Sequence, residues 1–95
     1  MRNAYPLMEG NLSTMTQNTR LDIIGELEAI IQYESHINSS TDPTYRGTLQ
    51  DIVDEEKVHV VQLFGLLFML DPSSKELFEK GLNEFTKSSG MNFKS

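Results

Sequence analysis

The sequence predicts an all-α fold, in which two long helices form an antiparallel hairpin and a short C-terminal helix follows. Apolar residues recur at helical spacing over two long stretches, Asp-Pro pairs stand where helices would begin, and no stretch alternates as a β-strand does. The 95 residues are expected to form one small domain, and the absence of cysteine excludes disulfides and thiolate metal sites. Domains this small often depend on a metal or a second chain for stability.

The first long helix is expected over residues 15–38. Thr14 and Gln17 have the spacing of a capping box, in which a hydroxyl and an amide satisfy free backbone groups at a helix start. The preceding residues 1–13 are polar and include Pro6 and Gly10. They are expected to be disordered or loosely attached.

The second and third helices are expected over residues 43–70 and 72–86. Each follows an aspartate, whose side chain can accept hydrogen bonds from free backbone N–H groups, and opens with a proline, which fits a first helical turn. The short connection at residues 39–42 makes the two long helices antiparallel neighbours. The helical domain therefore spans residues 14–86, and residues 87–95 are expected to form a flexible tail.

The chain is acidic, with 14 Asp and Glu against eight Lys and Arg and a formal net charge of −6. This charge disfavours nucleic acid and anionic membrane surfaces as partners, and favours cations or a basic protein surface. The start lacks the apolar run of a signal peptide, and the most apolar stretch, residues 58–70, is too short to span a bilayer. A cytoplasmic location is therefore expected.

Polar side chains interrupt the apolar stripe of both long helices. Positions alternating by three and four residues form one stripe on each helix: Ile23, Glu26, Ile30, Tyr33 and Ile37 on the first, and Leu49, Ile52, Glu56, His59, Leu63, Leu66 and Leu70 on the second. A carboxylate in a core-facing position is costly without a partner. Glu56 and His59 form the Glu-x-x-His arrangement with which helical bundles hold two iron or manganese ions, and Glu26 adds a carboxylate from the facing helix.

Three alternatives stay open from the residues alone. The second helix could instead turn a neighbouring apolar stripe inward (Val53, Val60, Phe64, Leu67 and Phe68). Glu56 could pair with Lys57, or with Arg46 from a neighbour. The Glu and His residues could also form a buried polar network in a non-catalytic oligomerisation module, whose removal would not weaken the bundle.

The number of ligands predicts a second copy of the chain. A carboxylate-bridged di-metal bundle takes one Glu from each of two helices and a Glu-x-x-His from each of the other two, and one chain supplies half of that set. Two hairpins related by a two-fold axis would complete the set and bury their apolar stripes. The sequence therefore predicts a four-helix bundle of two hairpins, with the di-metal centre on or near the axis.

Two segments resemble the encapsulated ferritins, which are the two-helix members of the ferritin-like superfamily. The segments are Glu26-Leu27-Glu28-Ala29-Ile30-Ile31-Gln32-Tyr33 and Asp54-Glu55-Glu56-Lys57-Val58-His59, within a resemblance that covers about residues 18–86. The resemblance implies hairpins that dimerise around a di-iron ferroxidase centre and assemble into an annular decamer. It further implies oxidation of Fe(II) to Fe(III) with dioxygen, for iron storage or detoxification inside an encapsulin nanocompartment.

Matching positions carry the family's roles onto this chain. Glu26, Glu56 and His59 are implied as iron ligands and Tyr33 as a catalytic residue beside them, while Glu28 and Glu55 are implied to attract incoming metal. The chain departs from the family pattern at Gly25, where a second carboxylate is common, and at Gln32, where a tryptophan is frequent. Manganese is the alternative metal, and a rubrerythrin-like di-metal peroxidase is the alternative enzyme.

Overall fold

The computed structural model describes residues 11–92, which form three α-helices and no β-strand. These are α1 (Leu12–Asn38), α2 (Pro43–Leu70) and α3 (Pro72–Ser89). The all-α prediction is confirmed, and α2 has the predicted bounds. Residues 12–13 are helical rather than part of a loose N-terminal segment, and residues 87–89 belong to α3 rather than to a tail. Residues 1–10 and 93–95 of the two predicted terminal segments lie outside the described residues.

The start of α2 follows the local sequence, whereas the start of α1 does not. The Asp42 carboxylate accepts a hydrogen bond of 2.8 Å from the backbone N–H of Tyr45. At α1 the N-cap is Asn11, whose side chain makes no capping hydrogen bond. The predicted capping box is therefore wrong, because Thr14 and Gln17 both lie within the helix, where Gln17 accepts a hydrogen bond from Arg20 instead.

At the start of α3 the predicted aspartate cap does not form, whereas a glycine cap forms at its end. Asp71 precedes Pro72 as predicted, but its side chain makes no hydrogen bond to the backbone of the first turn and is held by side chains instead. At the other end, Gly90 adopts φ +73° and donates its N–H to the Thr86 carbonyl at 2.9 Å. Glycine reaches this left-handed conformation without steric cost, so Gly90 fixes the end of α3.

The α1–α2 hairpin is antiparallel and contains the core of the chain. Arg46 donates hydrogen bonds to the carbonyls of Ile37 and Ser40 at one end, while Arg20 reaches Asp71 at the other. The buried side chains follow one stripe of α1 and two positions of α2: Thr16, Thr19, Ile23, Ile37, Val53 and Leu67. The stripe predicted for α1 is thus the one that packs on α2.

The stripe predicted for α2 is offset by one residue at two of its positions, Ile52 and Leu66. Val53 and Leu67 are buried and Val60 is half-buried, whereas Leu66 is 41% exposed. The alternative stripe therefore supplies these contacts with α1. Ile52 and Leu66 lie at its edge because a step of one residue turns a side chain by about 100° around the helix.

α3 packs against α2 through an aromatic cluster near its beginning. The ring centroid of Phe78 lies 5.7 Å from that of Phe64 and 5.3 Å from that of Phe68. Such tilted aromatic pairs add a directional preference to the burial of apolar area. Within residues 11–92, no helix is both long enough and apolar enough to cross a membrane.

Candidate metal centre

Glu26, Glu56 and His59 converge midway along the hairpin. Each can offer one ligand atom such that all three atoms lie within 4.8 Å of one another. The Nδ1 atom of His59 is 3.5 Å from Oε1 of Glu26. Two carboxylates and one imidazole, drawn from two helices, therefore meet in the arrangement that the sequence predicts.

Helical spacing places these side chains. Glu26 is separated by three and four residues from Ile23 and Ile30 on the packed stripe of α1. Glu56 stands in the same relation to Val53 and Val60 on α2. Both carboxylates are thus held at the packed interface by apolar neighbours on their own helices, where each is half-buried.

One side of the group is open to solvent. The Glu26 side chain is 25% exposed and the His59 side chain 44% exposed. His59 projects beside the packed stripe of α2, on the edge that also carries Ile52 and Leu66. The hairpin therefore covers one side of the group, and solvent reaches the other side.

The donor set suits a hard or borderline divalent cation. Carboxylate oxygens with a single imidazole are the ligands of iron and manganese in helical bundles, whereas soft-ligand metals favour thiolates. The two carboxylates would balance a divalent charge, and the imidazole would supply a nitrogen donor. The residues present thus fit half of a carboxylate-bridged di-metal site.

Of the ion pairs suggested for Glu56, the one with Lys57 does not form within the described chain, and the one with Arg46 of a neighbour stays a prediction. Lys57 extends toward Glu34, with its Nζ atom 3.8 Å from Oε2. Arg46 is engaged by backbone carbonyls at the end of α1. Both candidate cations of this chain are therefore occupied elsewhere, and Glu56 faces Glu26 and His59.

The other predicted site residues lie outside the three-residue group. Tyr33 is half-buried on the packed stripe of α1, two helical turns or about 10 Å from Glu26, and its ring meets His36 edge-on at 6.5 Å. Glu28 and Glu55 are exposed on the helices that carry the ligands. Their roles as catalytic and metal-attracting residues stay predictions.

A second polar cluster, which the sequence does not predict, lies at the start of α3. Ser74 and Ser73 donate hydrogen bonds of 2.6 Å and 2.7 Å to the carboxylate of Asp71, and Arg20 contacts the same carboxylate at 3.1 Å. These hydrogen bonds hold the pKa of Asp71 below its ordinary value, with the Arg20 charge acting in the same direction and burial opposing it. The Asp-Pro pair marked a helix start, but nothing local signalled a partner 51 residues away.

This chain is similar in sequence and in fold to known proteins. The chain superposes on the crystal structure of an encapsulated ferritin domain from Pyrococcus furiosus with a TM-score of 0.82 and 32% identity, covering 97% of this chain and 91% of that chain. It is 39% identical over 72 residues to a ferritin-like–encapsulin shell fusion protein from Pyrococcus furiosus, an alignment that covers 76% of this chain and 21% of that protein.

Two proteins of Myxococcus xanthus are also similar. The encapsulin nanocompartment cargo protein EncC is 34% identical over 70 residues, which cover 70% of this chain and 54% of EncC. The cargo protein EncB is 38% identical over 61 residues, which cover 64% of this chain and 39% of EncB.

The alignments cover different shares of the related proteins. The chain spans about a fifth to about half of the length of the curated relatives, but nearly the whole of the solved domain. No protein-family model matches it. On the similarity of sequence and fold to the solved domain, the chain belongs to the encapsulated ferritins and has their ferritin-like fold.

Proposed function

We propose that this chain is a ferroxidase that oxidises Fe(II) to Fe(III) with dioxygen at a di-iron centre shared between two copies. The observation that carries the proposal is the convergence of Glu26, Glu56 and His59, whose ligand atoms lie within 4.8 Å of one another. Sharing follows from the ligand count, because a carboxylate-bridged pair of metals takes twice what one chain supplies.

The exposed edge of the group supports a second hairpin at this face. Ile52, His59 and Leu66 follow one another at seven-residue intervals and so lie along one line of α2. Ile52 and His59 are half-buried, and Leu66 is exposed. A second copy docked on this line would cover two apolar side chains and bring its own ligands to the centre by the same two-fold operation.

The chain's own residues bind and position the cations. Four carboxylates from two copies balance the charge of two Fe(II) ions, and each His59 supplies a nitrogen donor. Bound Fe(II) supplies the electrons that reduce dioxygen. Exposed acidic side chains on the ligand helices, including Glu28 and Glu55, raise the local concentration of Fe(II) by their field.

The relatives support a cellular context for this activity. Two of them are named as encapsulin nanocompartment cargo, and a third joins a ferritin-like part to an encapsulin shell. We infer that this chain likewise works inside an encapsulin shell in the cytoplasm, for iron storage or detoxification. An annular decamer built from the dimers is the assembly that we expect there.

An anaerobic titration with Fe(II) followed by exposure to oxygen tests the proposal. We expect about one iron per chain, bound in an assembly of at least two copies, and then formation of Fe(III). Glu56→Ala and His59→Ala should lose both binding and rapid oxidation. His36→Ala, at the other histidine of the chain, and Glu76→Ala, at an exposed carboxylate of α3, are the matched controls.

The same preparation separates the alternatives. A rubrerythrin-like peroxidase would react faster with hydrogen peroxide than with dioxygen. An oligomerisation module would bind no iron, and its mass would not respond to chelators. Equal oxidation rates in the parent and in the two ligand variants would refute the ferroxidase.

A further inference from the structure

α3 leaves the hairpin as an arm that is anchored near its base. Phe78 packs into the aromatic cluster with Phe64 and Phe68, while almost all of residues 79–89 are exposed. The 18 residues of α3 span about 27 Å, so a rotation of about 10° at the base would move the far end by about 5 Å. The contacts at the base therefore decide where the arm points.

Arg20 of α1 makes hydrogen bonds to two residues at the start of α3. Its Nη2 atom lies 3.1 Å from Oδ2 of Asp71, the residue before α3, and 3.3 Å from Oγ of Ser74, in the first turn of α3. Ser74 also donates to Oδ2 of Asp71 at 2.6 Å, which closes a triangle of polar contacts. The Nη1 atom donates to Gln17 at 2.8 Å, which holds the guanidinium in place.

This geometry constrains direction as well as distance. A guanidinium is a planar fork of donors, so contacts at both of its terminal nitrogens fix its orientation, unlike the single ammonium of lysine. The pair between Lys57 and Glu34 provides the contrast, because it joins α1 to α2 through one contact of 3.8 Å. Arg20 is thus suited to set an angle, and Lys57 is not.

The direction of α3 matters because apolar side chains are exposed on both α3 and α1. Leu77 and Leu82 are exposed on α3. Ile24, Leu27 and Ile31 are exposed on α1 and continue from Arg20 at spacings of four, three and four residues. This line differs from the packed stripe that carries Glu26.

We propose that Arg20 is a positioning residue that fixes the direction in which α3 leaves the hairpin, and thereby how one copy of the chain meets another through α3. Residues 79–89 of α3 are almost all exposed in every copy, so the direction of α3 decides which of its side chains a second copy would meet. The proposal rests on the proposed function only in requiring that copies assemble, and the direction of the arm can be measured without iron.

The absence of cysteine makes the direction of α3 measurable. Cysteines introduced at two exposed positions, Gln62→Cys on α2 and Asn83→Cys on α3, can carry spin labels. Labelled chains diluted with unlabelled chains report distances within one copy, by pulsed electron paramagnetic resonance on metal-free protein. We expect one narrow distance distribution, whose width increases at least about twofold in Arg20→Ala because the fork of contacts is lost.

Two further variants and one further measurement make the test decisive. Arg20→Lys keeps the charge without the fork and should also broaden the distribution, even if Arg20→Ala loses helix content by circular dichroism. Lys57→Ala removes a cation and an ion pair between α1 and α2, and should leave the distribution unchanged. Native mass spectrometry should show altered assembly masses for both Arg20 variants and the parental masses for Lys57→Ala.

An unchanged distance width or unchanged masses in the Arg20 variants would overturn the proposal. Failure of the ferroxidase would show separately, as absent iron binding by the parent protein. That result would leave the measured direction of α3 as it is.

Discussion

Replacing Glu56 by leucine should stabilise the metal-free protein and abolish its stabilisation by metal. The carboxylates of Glu26 and Glu56 offer ligand atoms at most 4.8 Å apart, so their repulsion is about 0.9 kcal/mol at the dielectric constant of water. Leucine at this half-buried position would add about 1 kcal/mol of apolar burial against α1. We therefore expect the free energy of unfolding to rise by about 1–2 kcal/mol.

Bound metal should make the parent more stable to unfolding than Glu56→Leu. A ligand that binds only the folded state adds about 2.7 kcal/mol when its free concentration is 100 times its dissociation constant. The parent should gain this amount with Mn(II), or with Fe(II) under anaerobic conditions, and Glu56→Leu should gain almost nothing. The parent would then be the more stable protein by about 1 kcal/mol.

Urea unfolding followed by circular dichroism measures both effects. The chain concentration must be fixed, because assembly makes the midpoint concentration-dependent. Glu79→Leu, at an exposed carboxylate of α3, controls for the change of charge and should respond to metal as the parent does.

Two results would refute this reasoning. A metal-free Glu56→Leu protein less stable than the parent would show that the carboxylate makes a net stabilising contact in the hairpin, which outweighs its repulsion of Glu26. An equal gain from metal in the parent and in Glu56→Leu would show that the cation binds elsewhere.

Three further predictions concern the core, a cap and a titration. Val53→Ala should lower the free energy of unfolding by about 2 kcal/mol in urea titrations, because Val53 is fully buried, whereas Val58→Ala on the exposed surface should change it by less than about 0.5 kcal/mol. Asp42→Ala should cost about 1 kcal/mol and reduce helix content, while Asn11→Ala, which removes no capping hydrogen bond, should leave both nearly unchanged. The pKa of Asp71 is lower in the folded than in the unfolded chain, so its carboxylate stabilises the fold above about pH 4, and this contribution is lost as the pH falls through the lowered pKa. The difference in unfolding midpoint between the parent and Asp71→Asn should accordingly be constant at neutral pH and disappear in acid.

Local signals account for what the sequence predicts well. The bounds of α2 follow from Asp42 with Pro43 and from Asp71 with Pro72, because an aspartate and a proline satisfy and shape a first turn without help from the rest of the fold. The sequence predicts that Glu26, Glu56 and His59 meet because a carboxylate within an apolar stripe needs a partner. Both features depend only on residues within one or two helical turns and on the pairing of two helices.

Features set by distant contacts were not predictable in this way. The hydrogen bonds of Arg20 to Asp71 and Ser74 join residues more than 50 positions apart, and no periodicity signals them. The predicted start of α1 is wrong because Thr14 and Gln17 have the spacing of a capping box, although the helix already begins at Leu12. Local hydrogen-bonding preferences are weak beside the packing of a 27-residue helix against its neighbour.

The offset of the α2 stripe bears directly on the proposed centre. Glu56 lies between Val53 and Val60 on the line that packs against α1, whereas His59 lies between Ile52 and Leu66 on the open edge. The three residues of the candidate metal centre thus lie on two surfaces, one packed within the chain and one exposed. A single regular stripe would have buried the imidazole inside the hairpin, where no second copy reaches it. Because the stripe is split, folding of one chain brings the two carboxylates together, and docking of a second copy along the line of His59 is what would complete the ligands of both metals.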